Sequence, residues 1–164
     1  MQFITFDKEP YPKLQTIGNA SQFAIPFAKH FCKGNGFDIG FCKEEWKLQG
    51  AIGIDRNLMN EYDANNLPCK DDEMDYIYSS HCLEHVEDWV VTLEYWISKL
   101  KYGGVVFLYL PDISQKYWRP WNNRKHKHCL TPDILREFMI DHRMKNILVS
   151  GIDLNSSFMV VCEK

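Results

Sequence analysis

No apolar run in this 164-residue sequence reaches the roughly 18–20 residues that a membrane-crossing helix needs, so no membrane span is expected. The opening MQFITFDKEPYPK lacks the apolar core of a secretory signal. The six cysteines (32, 42, 69, 82, 129 and 162) form no C-x-x-C pair and no regular spacing, which favours free thiols in a reducing, cytoplasmic setting. His126, His128 and Cys129 stand close together, but their spacing fits no closed four-ligand site, and no metal is expected. Excess positive charge is missing as well: the net charge of −3 disfavours a bulk nucleic-acid binder. There is no internal repeat, low-complexity tract or internal boundary, so residues 1–164 are read as one domain. The dinucleotide fingerprint G-x-G-x-x-G is absent, which makes a nicotinamide-dependent reductase the weakest reading.

What is present centres on residues 74–112. Met74, Ile77 and Tyr78 form a short apolar run that ends abruptly in Ser79-Ser80-His81, the pattern of a buried strand whose carboxyl end opens onto a site. Trp89, Leu93, Trp96, Ile97 and Leu100 recur at helical spacing over 88–100. Gly103-Gly104 is expected to stop that helix, and Val105 to Leu110 restores a strand. Strand, helix and strand with short joints require a right-handed crossover and a parallel sheet.

Upstream, residues 1–19 carry Pro10, Pro12 and Gly18 and predict an arm with at most one short strand. A helix fits 21–31, where Pro26 should break or begin it. Brief strands at 37–40 and 51–54 end in Gly40 and Asp55, and Asp63-Ala64 is expected to close a third. Downstream, residues 113–130 form a loop rich in tryptophan and basic side chains. Thr131 and Pro132 then start a helix as N-cap and first helical residue, and 147–149 and 158–162 read as an edge hairpin.

FDIG at 37–40, GAIGID at 50–55, DANNLP at 63–68, MDYIYSSHCLEHVED at 74–88 and LKYGGVVFLYLPD at 100–112 occur in this order. With the H-x-x-T-P-x-x-L element from His128 to Leu135, this series resembles the class I S-adenosylmethionine-dependent methyltransferases, in particular the small, methyltransferase type 11-like branch with a shortened first loop. The resemblance covers about Gly34 to the C-terminus. It implies an α/β, Rossmann-like three-layer sandwich with a mostly parallel seven-stranded sheet and an antiparallel C-terminal hairpin strand. On that pattern 1–33 are an N-terminal arm and helix, 34–112 the cofactor-binding core, 113–130 the substrate loop, and 131–164 the C-terminal helix and edge hairpin.

The implied cofactor is S-adenosyl-L-methionine. Asp38, Gly40 and Phe41 would form the first loop, with Gly40 letting backbone approach the methionine portion. Asp55 and Arg56 would lie at the ribose, Asp55 accepting its hydroxyls. Asp63 and Ala64 would lie beside the adenine, although an Asx turn explains Asp63 nearly as well. Ser79, Ser80 and His81 would flank the amino-acid portion and the transferable methyl. The chain departs from the family's D-x-G-x-G-x-G, because Cys42 and Glu44 stand in the places of the second and third glycines. Arg143 likewise stands near a position where a glycine usually ends the later helix.

Methyl transfer from a sulfonium needs little beyond positioning and, for a hydroxyl acceptor, a base of near-neutral pKa. His81, His85 and Asp112 are the candidates, with a capping or core hydrogen bond as the plainer role for His85. Glu84 reads as structural, binding backbone near the loop. No acidic residue occurs between Ile113 and Pro132, so the loop suits sugar faces on its aromatics and a phosphate on its cations. A solvated loop pinned by Trp118 and Trp121 explains it almost as well. The leading expectation is O-methylation of a sugar or glycan precursor. The alternatives are another small molecule or amine, or a catalytically silent binding module. Oligomeric state is not legible.

Overall fold

The computed structural model describes residues 2–13, 18–58 and 61–164. The expected N-terminal arm is a hairpin, with β1 (Phe3–Phe6) pairing antiparallel with β2 (Glu9–Pro12); residues 1 and 14–17 of that arm lie outside the described residues. Helix α1 (Ser21–Phe31) runs straight through Pro26, contrary to the expected break. Pro26 and Gln22 are both on the exposed face, so the carbonyl that loses its N–H partner meets water instead.

Strands β3 (Gly36–Ile39), β4 (Ile52–Ile54), β5 (Met74–Ser80) and β6 (Leu100–Pro111) are mutually parallel neighbours. Helix α2 (Trp89–Lys99) makes the crossover from β5 to β6, and α3 (Pro132–Asp141) precedes β7 (Lys145–Val149) and β8 (Ser157–Glu163). The sheet order is β4-β3-β5-β6-β8-β7, with β8 antiparallel to both neighbours. This is the three-layer, mostly parallel architecture expected, with six strands rather than seven among the described residues. Asp63-Ala64 closes no strand. Asp63 instead pairs with Asn66 in an isolated bridge, because the polar stretch after it turns back through an Asx turn and offers no alternating apolar face. β4 is therefore the edge.

Each end of α2 is set locally. The Asp88 carboxylate accepts from the N–H groups of Val90 and Val91 at 3.0 and 3.1 Å, and the helix closes at Lys99. Gly103 and Gly104 lie inside β6 rather than stopping the helix, because Leu100 is already extended and paired with Met74. Thr131 caps α3 from Oγ1 to the Ile134 N–H. At the far end of α3, Arg143 takes a left-handed φ of 57°, with Arg143 N–H on Ile140 O and Met144 N–H on Met139 O. That is a Schellman termination with arginine where glycine is favoured.

The two faces of the sheet are packed differently. On one, Leu93 and Trp96 of α2 and Leu135 and Met139 of α3 bury against Ile39, Ile77, Val106 and Leu108. On the other, the fully buried residues of α1 are Ala24 and Ala28, set against Tyr76, Tyr78, Phe107 and Tyr109, with Phe23, Ile25 and Phe31 half-buried around them. Small residues on the helix match large rings on the sheet, which keeps the layer spacing. The outcome is that β3, β4, β5 and β6 all end at one rim, at Gly40, Asp55, His81 and Asp112.

Candidate functional site

The first loop is built around two left-handed residues. Gly40 has φ +82°, and a Cβ there would stand 2.6 Å from Cys82 Cβ and 2.7 Å from its Sγ. Its N–H donates to Ile54 O at 2.7 Å. The glycine is thus required by packing against the loop after β5. Cys42, in the place of the second glycine, also has a positive φ, 62°, and its N–H reaches Asp55 Oδ2 at 3.1 Å. The loop keeps the backbone shape that a glycine would permit, at the cost of a side chain in a region L-residues avoid. Cys42→Gly is expected to stabilise the protein by about 0.5–1 kcal/mol, the strain relieved less the extra chain entropy, as read by urea unfolding.

Asp38 is buried, and its carboxylate accepts the Leu48 N–H at 2.7 Å. Burial pushes its pKa up to about 7, against the lowering influence of that hydrogen bond and of Lys47. Together with Gly18, Ser21, Gly40, Phe41, Cys42, Trp46 and Ser80 it lines a small recess open to solvent. Ser79 is spent on the fold, its hydroxyl donating to Ile39 O at 3.0 Å. Ser80 is different, since its buried hydroxyl has no hydrogen-bond partner and faces this recess. Phe41 is half-buried, its ring over Gly53.

Asp55 accepts Cys42 N–H on one oxygen and Asn57 N–H at 2.8 Å on the other, leaving lone pairs on both. Arg56 is exposed beside it. Asp63 forms the Asx turn, with Oδ1 accepting the Asn65 N–H at 2.8 Å. Three side chains of α2 that local patterning does not mark as functional hold this loop. Trp96 Nε1 donates to Ala64 O at 2.7 Å, Thr92 Oγ1 to Asn65 Oδ1 at 2.7 Å, and the Leu67 N–H donates to the Tyr95 hydroxyl at 2.8 Å. Their only sequence signal is polar atoms at helical spacing on an otherwise apolar face.

Past β5, His81 sits at φ +51°, strained for a histidine, with its N–H on Tyr109 O at 2.8 Å and its ring against Tyr109 and Trp118. Ser157 Oγ donates to Asn155 O and accepts from His81 Nε2 at 3.1 Å, so the lone pair is on Nδ1. Burial, with repulsion from His126 and His85, holds this imidazole well below its ordinary pKa, and it is neutral at pH 7. Glu84 is the neighbour on the Nδ1 side, at 3.7 Å. Its carboxylate does not bind backbone as expected. Both oxygens are buried without a hydrogen bond, and burial raises its pKa; only its main-chain carbonyl takes the loop, from the Lys127 and His128 N–H groups. His85 donates from Nδ1 to Lys125 O at 2.6 Å and turns Nε2 toward Glu84.

Asp112 accepts the Ser114 N–H on Oδ1 at 2.8 Å and faces a second small recess with Trp118, His126, His128 and Cys129. Of the two tryptophans expected to pin the loop above it, Trp118 does so and Trp121 does not, being 67% exposed. Trp118 Nε1 donates to the Tyr11 hydroxyl at 2.9 Å, and Gln115 Nε2 to Pro10 O at 2.9 Å. The N-terminal hairpin therefore clamps the substrate loop, a contact between segments over a hundred residues apart that no local pattern announces.

A mostly parallel sheet whose four parallel strands deliver a glycine turn and two carboxylates to one rim is the architecture of a class I methyltransferase fold. A methyltransferase-domain family model matches residues 18–147, and the chain belongs to that family of S-adenosylmethionine-dependent enzymes. Among solved structures, an S-adenosylmethionine-dependent methyltransferase from Archaeoglobus fulgidus superposes with a TM-score of 0.68 at 14% identity, over 93% of this chain and 100% of that one. One from Aquifex aeolicus gives 0.61 at 13%, over 92% and 96%. Phosphoethanolamine N-methyltransferase 2 of Haemonchus contortus, in complex with S-adenosyl-L-methionine, gives 0.64 at 13%, over 87% and 52%. No match is found among the curated proteins. Among the described residues no helix is long and apolar enough to cross a membrane.

Proposed function

We propose that this methyltransferase is a cytoplasmic O-methyltransferase of a sugar or glycan precursor. The observation that carries the reading is the convergence of Gly40, Asp55, His81 and Asp112 on one rim, beneath a loop without acidic residues. S-adenosylmethionine, when bound, supplies an activated methyl group. The residues present fit it: Ser80 offers an orphan hydroxyl and Asp38 a buried carboxylate to the methionine end, and Asp55 has lone pairs for the ribose. Asp63 and Ala64, braced by α2, would border the adenine, with Arg56 and Phe41 beside the ribose and first loop.

His81, placed one residue beyond Ser80, takes the hydroxyl proton on Nδ1, and its burial makes it a weaker base than a free imidazole. His85 holds the substrate loop through Lys125 O, and Asp112 orients the acceptor in the second recess. Calorimetry with S-adenosylmethionine is the first test. Asp55→Ala should weaken binding by about 1–3 kcal/mol through loss of charge-assisted contacts, and unchanged affinity would remove the ribose assignment. At saturating cofactor, with nucleotide sugars as acceptors, His81→Ala should lower kcat by about 10²–10⁴-fold while His85→Ala acts mainly on KM. Methylation of amines but not of sugars would favour the small-molecule alternative. A folded protein that binds no cofactor at millimolar concentration would favour a silent module.

A further inference from the structure

Glu84, His85 and His126 offer ligand atoms that all lie within 4.8 Å of one another, under the substrate loop. Three features separate this group from a chance cluster. First, Glu84 is 1% exposed, and neither carboxylate oxygen has a hydrogen-bond partner. A buried carboxylate without partners is costly, and such groups are normally paired or bound to a cation. Second, both imidazoles have one nitrogen committed to a backbone carbonyl: His85 Nδ1 to Lys125 O at 2.6 Å and His126 Nδ1 to Trp118 O at 2.8 Å. Carbonyls only accept, so each Nδ1 carries the proton and each Nε2 keeps its lone pair. Histidine ligands of metal ions are commonly oriented and fixed in tautomer in this way. Third, His85 Nε2 is 3.7 Å from Glu84 Oε1. That is too long for a hydrogen bond. Two ligand atoms on one cation with bonds of about 2.0–2.1 Å stand roughly 3–4 Å apart, so the gap suits a shared ion.

We propose that Glu84, His85 and His126 bind a divalent transition-metal ion such as Zn²⁺ or Co²⁺. Two imidazoles and one carboxylate make a donor set of intermediate softness that leaves coordination positions open. His126 also lines the recess that holds Asp112, and His81 Nδ1 stands 3.7 Å from the same Glu84 oxygen. An acceptor hydroxyl placed there can take an open position on the metal, which would hold it in place with His81 near enough to receive its proton. This last step rests on the methyltransferase reading; metal binding itself does not. The site differs from the His126, His128 and Cys129 grouping considered in the sequence, because His128 turns its Nε2 to Val86 O at 2.8 Å.

Metal-stripped protein titrated with Co²⁺ should develop visible d–d absorption that saturates at one equivalent, and Zn²⁺ calorimetry should give the same stoichiometry. His126→Ala and Glu84→Gln should each weaken binding by about a hundredfold or more, while His128→Ala binds as wild type. Circular dichroism identifies any variant that has not folded, and His85→Ala, at a half-exposed position, provides a further ligand deletion. Absence of saturable binding to folded wild type at millimolar metal would overturn the proposal. So would undiminished binding in folded His85→Ala and His126→Ala. Calorimetry with S-adenosylmethionine on the same samples separates the two claims, since loss of cofactor binding leaves the metal result standing.

Discussion

Asp38→Asn is expected to raise the stability of the unliganded protein at pH 8 by about 2–4 kcal/mol, and to leave it nearly unchanged at pH 4. Burial places the folded-state pKa of Asp38 near 7, above its ordinary 3.8. A raised pKa means that the folded state binds the proton more tightly than the unfolded chain. The contribution is therefore full below pH 3.8 and is lost as pH rises through 7. Asparagine keeps an acceptor for the Leu48 N–H and never ionises, so it removes that loss. The same change should weaken S-adenosylmethionine binding, because the ionised carboxylate is what the methionine ammonium would meet. Wild-type affinity should accordingly rise between pH 6 and pH 8, and that of the variant should not. Urea midpoints at the two pH values and paired calorimetry check both halves. Equal stabilities at pH 8 would show that Asp38 carries no buried charge worth relieving.

Gly40→Ala is expected to cost about 2–4 kcal/mol, from left-handed strain together with overlap with Cys82. The methyl would lie 2.6 Å from Cys82 Cβ, far inside contact distance. A double-mutant cycle separates the two causes. Cys82→Gly should recover the overlap, about 1–3 kcal/mol, and leave the backbone strain in place. An additive pair would mean that the close approach of the first loop to the segment after β5 is not what demands the glycine. Because Gly40 also borders the first recess, cofactor affinity should fall with stability in the single variant and recover in part in the double one.

The strands that carry the rim were legible because each apolar run stops at a turn or polar residue: Ile39 before Gly40, Ile54 before Asp55, Tyr78 before Ser79-Ser80-His81. The helix starts at Asp88 and Thr131 were legible for the same reason, since a capping side chain acts within three residues of itself. Where the local pattern misled, a competing contact had decided. Pro26 was tolerated because the Gln22 carbonyl that it leaves unpaired lies on the exposed face, and Gly103-Gly104 belonged to a strand because Leu100 had already paired with Met74. The third short strand failed because Asp63 bonds its own neighbours.

By itself, then, the sequence determined the strand–helix–strand unit, through periods of two and 3.6 residues, and the four strand ends, through the residues that stop them, while the fold class came with the resemblance those motifs carry. Tertiary structure alone decided which of those residues are spent on the fold and which remain available. It tied Ser79 to Ile39 and left Ser80 free, gave Gly40 to Cys82, and set Tyr11 under Trp118. It also brought His126 to the Glu84–His85 pair, although the intervening chain shows no sign of their meeting. The physical reason is common to all of these: contacts between segments 40 to 107 residues apart are fixed by packing of the layers, which no local periodicity encodes.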